Sequence, residues 1–148
     1  LCCAVLSLRK FDKKSFSELH PGGKLGKKLK TLNEIMDNDI PFIRSNSSII
    51  DAVLIMTEKK YGCVVVLDNN NKIKGIITDG DLRRSIAKFN MREKATKIMK
   101  SKPIVAKSDL LISSAIVLMN KHSITSLIIA NQNKPVGIVN IKKCLEND

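Results

Sequence analysis

The sequence GIITDGDLRR, residues 75–84, decides how the rest of the chain is interpreted. An apolar run ends there in Thr78-x-x-Asp81, which predicts a buried strand that passes through a charged turn into a helix. A hydroxyl and a carboxylate at such a junction lie where open α/β layers leave a crevice for ligands. Arg83 and Arg84 follow in the first turn of the predicted helix and are suited to meet an anionic group.

The residues around this stretch belong to a long internal repeat. The apolar positions of one predicted helix return 63 residues later as those of another: Ile49, Ala52, Val53 and Met56, then Ile112, Ala115, Ile116 and Met119. Their i, i+3, i+4, i+7 spacing gives each helix one apolar face. Ser47 or Ser48 is the predicted start signal of the first helix, and Ser108 with Asp109 that of the second. The spacing indicates a tandem duplication.

Each copy predicts the order β-α-β-β-α. A short strand lies near Phe42 or Ile104, and the continuous apolar runs at 63–67 and 126–130 are typical of strands covered on both faces. A second strand follows at 73–77 or 135–139, and a closing helix at 81–89 or 142–147. A unit of this size buries little surface alone. We therefore expect an α/β fold in which units 31–89 and 90–148 pack sheet to sheet about a pseudo-twofold axis.

Composition narrows the class of protein. The 148 residues are 43% hydrophobic, and no apolar run reaches the roughly 18 residues of a membrane helix, so we expect a soluble, cytoplasmic protein without a membrane partner. The four cysteines lack the spacing of metal ligands, so we expect reduced thiols and no metal. A net charge of +12 predicts attraction to anions, and the 3% aromatic content argues against a single-strand nucleic-acid interface.

The duplicated pattern of short strand, amphipathic helix, hairpin and Gly-h-h-Thr-x-x-Asp resembles a tandem pair of cystathionine-β-synthase (CBS) domains over residues 31–148. The segment HPGGKLGKKL, residues 20–29, followed by such a pair with TDGDLRR at 78–84, resembles the C-terminal part of arabinose-5-phosphate isomerases. The resemblance implies that residues 1–30 are the tail and linker of a preceding sugar-isomerase (SIS) domain. It also implies that the parent enzyme interconverts ribulose 5-phosphate and arabinose 5-phosphate in Kdo and lipopolysaccharide biosynthesis.

The role of His20 depends on that resemblance. Locally, the glycine-rich segment around it favours a hinge in which the histidine is incidental. The resemblance implies instead that His20 is an acid-base group of the isomerase active site, because histidine titrates near neutral pH. The other catalytic groups would belong to the SIS domain. We therefore expect this chain alone to be catalytically inactive.

The Thr78-x-x-Asp81 pattern has two interpretations. A carboxylate accepts hydrogen bonds from both hydroxyls of a ribose, and a threonine three residues earlier adds another contact. The same pattern is a capping box, in which Thr78 caps the helix and Asp81 bonds back to it. The resemblance favours ligand contact. The charges of Arg83 and Arg84 are then balanced either by Asp79 or Asp81 or by an anionic ligand.

The remaining walls of the predicted site are less defined by the sequence. We expect Pro41, Ile43, Tyr61 and Cys63 to complete it, with plain core packing as the alternative. In the second unit Asn140 and Lys143 replace the threonine and the acid. A second ribose site of the same kind is therefore not expected.

The resemblance implies a regulatory ligand rather than a permanent cofactor. The nucleotide-activated acidic sugar CMP-Kdo satisfies a ribose contact and the positive charge together, and AMP or ATP is the next choice. A structural dimerisation module, giving a homodimer or tetramer through the CBS pairs, is a second interpretation. Charge-driven nucleic-acid binding is a third and would depend steeply on salt; specific nucleic-acid binding is not expected.

Overall fold

The computed structural model describes residues 29–148, which form two copies of one unit. The first contains β1 (Phe42–Arg44), α1 (Ile49–Lys59), β2 (Cys63–Leu67), β3 (Ile73–Thr78) and α2 (Asp79–Ser85). The second contains β4 (Val105–Ala106), α3 (Ile112–His122), β5 (Ser126–Asn131), β6 (Lys134–Asn140) and α4 (Ile141–Asn147). The predicted α/β fold with the order β-α-β-β-α in each repeat is confirmed.

Each copy has a three-stranded sheet with the long apolar strand in the middle. Strand β2 pairs in parallel with β1 and antiparallel with β3, and β5 pairs in the same way with β4 and β6. All five residues of β2 are buried. Val64 and Val66 face the helices of their own repeat, whereas Val65 faces the other sheet. Coverage on both faces explains why this run is continuously apolar.

The two sheets pack against each other, as the repeat predicts. Val65, Leu67 and Ile73 of the first sheet form one buried cluster with residues Ile128 and Ala130 of the second. The Ile73 amide also donates a hydrogen bond of 2.9 Å to the Asn133 carbonyl, which ties the two hairpins together. The core of the molecule therefore runs continuously from one repeat into the other.

The helix starts differ in detail from the sequence prediction. Helix α1 begins after Ser48, which forms a capping box with Asp51, as expected. Helix α3 begins after Leu111 without a side-chain cap, so the start signal assigned to Ser108 and Asp109 is wrong. Its first amide, from Ile112, donates instead to a backbone carbonyl at the start of the described chain. Tertiary backbone contact replaces the side-chain cap there.

The two repeats exchange their opening segments. Leu32 and Ile35 lie in the core formed by the second repeat, beside Met119, whereas Ala95 lies in the core of the first. Short 3-10 turns at Leu32–Glu34 and Ala95–Lys97 carry these residues. The core of the second repeat is thus completed by residues that precede the first repeat in sequence. The core of the first repeat is completed by residues that precede the strands of the second.

Backbone bridges fix the exchanged segments against the two sheets. Lys100 and Ile76 exchange two hydrogen bonds of 2.8 and 2.9 Å, and Asp37 and Ile138 exchange an equivalent pair of the same lengths. Gly75 permits this approach, because a Cβ there would lie 2.6 Å from the Lys100 carbonyl oxygen. Residues 99 and 100 are therefore held against the edge of β3.

The two equivalent glycines should tolerate a methyl group to different degrees. The atom nearest to a Cβ at Gly75 is a backbone carbonyl oxygen, whereas the three atoms nearest to a Cβ at Gly137 belong to the side chain of Met36, with its Sδ at 2.6 Å. We expect Gly75→Ala to lower the free energy of unfolding by about 2–3 kcal/mol and Gly137→Ala by under about 1 kcal/mol, because Met36 can change rotamer. Urea denaturation measures both. A larger loss for Gly137→Ala would contradict the account.

Candidate functional site

A cavity of about 560 Å³ lies where the exchanged segment of the second repeat meets the junction of β3 and α2. Its walls come from both repeats and combine apolar side chains with several polar and basic ones. They are Tyr61, Gly62, Cys63, Ile76, Thr78, Asp79, Gly80, Arg84, Lys100, Lys102, Pro103, Ile104, His122, Ser123, Ile124, Thr125 and Ser126.

Several residues predicted for the site line this cavity. Thr78, Asp79 and Arg84 do so from the β3–α2 junction, and Tyr61 and Cys63 from the start of β2. Burial raises the pKa of the Cys63 thiol to about 12, and the nearby Asp79 carboxylate adds to the shift. Cys63 is therefore a neutral wall residue at physiological pH and not a nucleophile.

Four of the predicted site residues, Pro41, Ile43, Asp81 and Arg83, do not line the cavity. Pro41 and Ile43 are buried, and Ile43 packs beside α1 in the core of the first repeat, so the core-packing alternative holds for it. Arg83 is exposed on α2. The exchange explains the error for Pro41, because its counterpart Ile104, 63 residues later, takes the wall position.

The capping-box interpretation of Thr78 and Asp81 describes the geometry of the β3–α2 junction. The Asp81 Oδ2 accepts hydrogen bonds from the Thr78 amide at 3.0 Å and from its hydroxyl at 2.7 Å, and the Asp81 amide donates to Thr78 Oγ1 at 3.4 Å. Helix α2 therefore begins at Asp79, two residues before the prediction. Arg83 and Arg84 lie in its last turn, where cations are favoured, and not in its first.

Asp81 is the electrostatic centre of this junction. Its side chain is only 7% exposed, and its Oδ1 accepts a hydrogen bond of 2.6 Å from Arg84 and lies 3.5 Å from the Lys100 ammonium. Burial opposes ionisation of Asp81, but the hydrogen bonds from Thr78 and Arg84 and the charge of Lys100 outweigh it. The pKa of Asp81 is accordingly lowered, and the carboxylate stays charged.

Basic side chains dominate the rest of the cavity. Arg84 and Lys100 keep 67% and 63% of their side chains exposed while they contact Asp81. Lys102 is exposed, and no carboxylate within residues 29–148 forms an ion pair with it. Asp79 is the one acidic side chain among the described lining residues. The cavity therefore favours an anionic ligand.

The equivalent position in the second repeat has a different structure. Asn140 caps α4 by accepting a 2.8 Å hydrogen bond from the Lys143 amide. The Lys143 ammonium is 2.6 Å from Asp37, which also accepts a hydrogen bond from the Tyr61 hydroxyl. The ammonium of Lys143 and the hydroxyl of Tyr61 lower the pKa of Asp37. In the second repeat the closing helix carries the base, Lys143, and the exchanged segment carries the acid, Asp37. In the first repeat the helix carries the acid and the exchanged segment carries the base.

Sequence reasoning missed the wall that the second repeat contributes. The missed wall includes three residues outside the first repeat, Lys100, Lys102 and Ile104. It also includes Thr125 and Ser126, which are the counterparts of Gly62 and Cys63, 63 residues earlier. The repeat spacing alone pairs these positions. The exchange of segments, which local patterns do not reveal, decides which repeat each wall belongs to.

The structure bears on the remaining predictions only for residues 29–148. His20 and the tail at 1–30 fall almost entirely outside them, so the role of His20 stays a prediction. Within residues 29–148 no cluster of histidine, cysteine, aspartate or glutamate has the arrangement of a metal site. None of the helices in that part of the chain has the length and apolar character needed to cross a membrane.

Two β-α-β-β-α repeats that exchange their opening segments and share a polar cavity at their junction define a tandem α/β module. The CBS domain family matches residues 32–88 and again 95–147. The chain belongs to the CBS domain family, of which it carries two copies. The predicted CBS pair is confirmed.

Curated relatives also support the predicted resemblance to sugar-phosphate isomerases. Arabinose 5-phosphate isomerase KpsF of Escherichia coli is 35% identical over 145 residues, covering 95% of this chain and 44% of that protein. Arabinose 5-phosphate isomerase KdsD of Yersinia pestis is 35% identical over 153 residues, covering 98% and 46%. The chain spans less than half the length of these relatives.

Solved structures show the same fold at low sequence identity. The CBS domain pair of protein MJ0100, solved with 5′-methylthioadenosine and S-adenosyl-L-methionine, has a TM-score of 0.71 and 23% identity, covering 80% of this chain and 94% of that one. The CBS domain protein PAE2072 of Pyrobaculum aerophilum, complexed with AMP, has a TM-score of 0.69 and 17% identity, covering 77% and 89%.

Acid should remove the stability that the Asp81 carboxylate contributes. Because the folded-state pKa is lowered, this contribution is complete above the unfolded-state pKa of about 3.9 and is lost as pH falls through the folded-state value. Asp81→Asn should lower the free energy of unfolding at neutral pH by roughly 1–2 kcal/mol and flatten its decline between about pH 5 and 3. Urea denaturation across this pH range measures the slope.

Asp109→Asn is the control for this prediction. Asp109 is exposed and has no ion pair among residues 29–148. This variant should keep the pH dependence of the original chain. An unchanged slope in Asp81→Asn would show that Asp81 is not held as a carboxylate.

Proposed function

We propose that this chain is the regulatory module of an arabinose-5-phosphate isomerase and binds an anionic nucleotide or sugar nucleotide in the cavity beside Thr78. The polar, basic cavity between the two repeats is the observation that carries the proposal. A cavity of about 560 Å³ is within the size range of small-molecule sites. Its cationic walls match the charge of a nucleotide phosphate.

The relatives supply the link to an isomerase. Nearly the whole chain aligns with less than half of the KpsF and KdsD proteins, which are arabinose 5-phosphate isomerases. We expect an SIS domain of the parent enzyme to carry the conversion of ribulose 5-phosphate to arabinose 5-phosphate, with His20 contributing at its active site. The chain by itself is then inactive as an isomerase.

The ranking of candidate ligands follows from the charge of the cavity and from the molecules bound to structurally similar proteins. Two CBS proteins of the same fold were solved with adenosine derivatives bound. An isomerase at the start of Kdo synthesis in the cytoplasm is sensibly controlled by a later intermediate, and CMP-Kdo carries both a phosphate and a carboxylate for the basic wall. We therefore rank CMP-Kdo first, with AMP and ATP next.

Calorimetric titration with CMP-Kdo, AMP and ATP tests this function directly. At least one of them should bind, and Thr125→Trp should abolish binding because an exposed wall residue then fills the cavity mouth. Lys121→Trp is the matched control, since Lys121 is exposed on α3 but is not a wall residue. It should bind as the original chain does. Failure of all three ligands to bind would overturn the sensing function.

A structural dimerisation module is the second candidate function. Leu54 on α1 and Val117 on α3 occupy equivalent positions 63 residues apart, and their side chains are 62% and 67% exposed. Large apolar side chains exposed at equivalent places on two helices favour burial against another subunit. Such a contact would join isomerase subunits through their CBS pairs into a homodimer or tetramer.

Sedimentation equilibrium tests the dimerisation function. The original chain should sediment as a dimer or larger assembly, and Leu54→Glu combined with Val117→Glu should sediment as a monomer because burying two carboxylates is unfavourable. Val136→Glu, at an exposed apolar position on β6, is the control and should leave assembly unchanged. A monomeric original chain would rule this candidate out.

A further inference from the structure

Tyr61 lies between the cavity and the equivalent position of the second repeat. It lines the cavity, and it also lines a cleft of about 450 Å³ that contains Asp37, Asp39 and Lys59. Its hydroxyl donates a hydrogen bond to Asp37 Oδ2. Burial and the Asp37 carboxylate raise the pKa of Tyr61, so the hydroxyl stays protonated and able to donate. One side chain therefore contacts both positions.

Asp37 is the point where side chains of both repeats meet the opening segment of the first repeat, residues 31–39. The Lys143 ammonium on α4 is 2.6 Å from its Oδ1, and the Tyr61 hydroxyl is bonded to its Oδ2. The Asp37 backbone exchanges hydrogen bonds of 2.8 and 2.9 Å with Ile138 of β6. The Asp37 amide, which donates the first of these, is therefore a local probe of how tightly the segment is held.

The first repeat has no equivalent of this link. The counterpart of Tyr61, 63 residues later, is Ile124, whose side chain has no hydroxyl and packs against the core of the second repeat. The ion pair equivalent to that of Asp37, between Lys100 and Asp81, therefore receives no hydrogen bond from this position. The link runs from the cavity to the opening segment and not in the reverse sense.

The ring of Tyr61 has room to move while its backbone stays in place. The Tyr61 carbonyl accepts a 2.7 Å hydrogen bond from the Ser126 hydroxyl, which fixes the main chain to the second repeat. Tyr61 also lines a groove of about 470 Å³ between α1 and α2, which gives the ring a second place to lie. Among residues 29–148, Asp37 is the one hydrogen-bond partner of the phenol group. That single bond decides where the ring points.

We propose that Tyr61 couples the cavity to the opening segment. A ligand that enters the cavity displaces the ring, breaks its hydrogen bond to Asp37 and loosens residues 36–39 from β6. Residues 1–30 precede the segment directly in sequence, so this loosening alters how the module is attached to the preceding chain. The inference rests on the proposed function, because it requires that function's ligand, and it adds the route by which binding is transmitted.

Hydrogen exchange of the Asp37 amide tests the link without any ligand. Tyr61→Phe keeps the ring and removes the hydroxyl, and it should speed exchange of this amide at least about fivefold, because a hydrogen bond to a charged group is lost. The Lys100 amide, which donates an equivalent 2.8 Å bond to Ile76, is the internal control and should exchange at an unchanged rate. In an Asp37→Ala background, Tyr61→Phe should change exchange at position 37 by less than about twofold.

Titration with AMP tests the coupling. Saturating AMP should speed exchange of the Asp37 amide in the original chain at least about threefold and should have no such effect in Tyr61→Phe, whose bond is already absent. By reciprocity, Tyr61→Phe should bind AMP about threefold to tenfold more tightly, because the ligand no longer has to break the bond. A hydroxyl that contacted the ligand instead would give weaker binding when it is removed.

The displacement of the ring is observable directly. The chain has one tyrosine, so carbon-13 labelling at tyrosine Cζ gives a single resonance that reports the phenol group. AMP should move this resonance toward its position in Asp37→Ala, where the hydrogen bond is absent. A resonance that stays at its ligand-free position in saturating AMP would show that the ring does not move and would overturn the inference.

The outcomes separate this inference from the proposed function. Unchanged Asp37 exchange in Tyr61→Phe, slower exchange of that amide in AMP, or weaker AMP binding by Tyr61→Phe would each overturn the coupling while nucleotide binding stands. If AMP does not bind, CMP-Kdo takes its place in the same measurements. Failure of AMP, CMP-Kdo and ATP alike would overturn the proposed function and the coupling with it. Thermal unfolding shows that each variant is folded at the temperature of measurement, and the AMP experiments on the original chain need no substitution.

Discussion

The paired hydrogen bonds between Lys100 and Ile76 are the contact on which the rest of the site depends. They hold residues that precede the second repeat against the edge strand of the first, and Gly75 leaves the room for it. Without this pairing the cavity would lose the part of its wall that residues 100–104 form. The equivalent bridge between Asp37 and Ile138 makes the exchange mutual. Folding of each repeat is therefore tied to the other, and the chain forms one core from two incomplete halves.

A duplicated fold gives two equivalent positions, and the side chains decide how they differ. Here the backbone geometry is retained while the charges are reversed, so that one position presents cations to a cavity and at the other Lys143 forms an ion pair with Asp37. Reversal of charge is an economical way to distinguish the two positions, because it leaves the packing of helix on sheet intact. The fold thus supplies two places, and electrostatics selects one of them for an anion.

Much of the fold follows from the sequence. The 63-residue recurrence of the apolar faces, the buried run at Cys63–Leu67 and the Ser48 cap each specify a local structure that the molecule adopts. The prediction of where α2 begins was wrong because Thr78 serves as its N-cap. The predicted cap of α3 was wrong because a tertiary backbone contact takes its place. Local patterns describe the elements well but not the partners that complete them.

The site was only half predictable for the same reason. Thr78, Asp79 and Arg84 lie on one continuous stretch, so a motif identifies them, and Tyr61 and Cys63 follow from the adjoining strand. Lys100 and Lys102 reach the cavity through the exchange, and nothing in their immediate sequence marks them. Pro41 was assigned to the wall in place of its counterpart Ile104. Such errors are expected wherever a site is built between repeats.

Amide NMR of the chain during titration with AMP tests the central claim most directly, because it observes both equivalent positions in one experiment. The account predicts that the largest shifts fall at residues 61–63, 78–84 and 100–104, with residues 37–39 and 140–146 almost unchanged. Shifts of similar size in both sets, or shifts confined to the second, would contradict the conclusion that the reversed charges direct an anion to the first position alone.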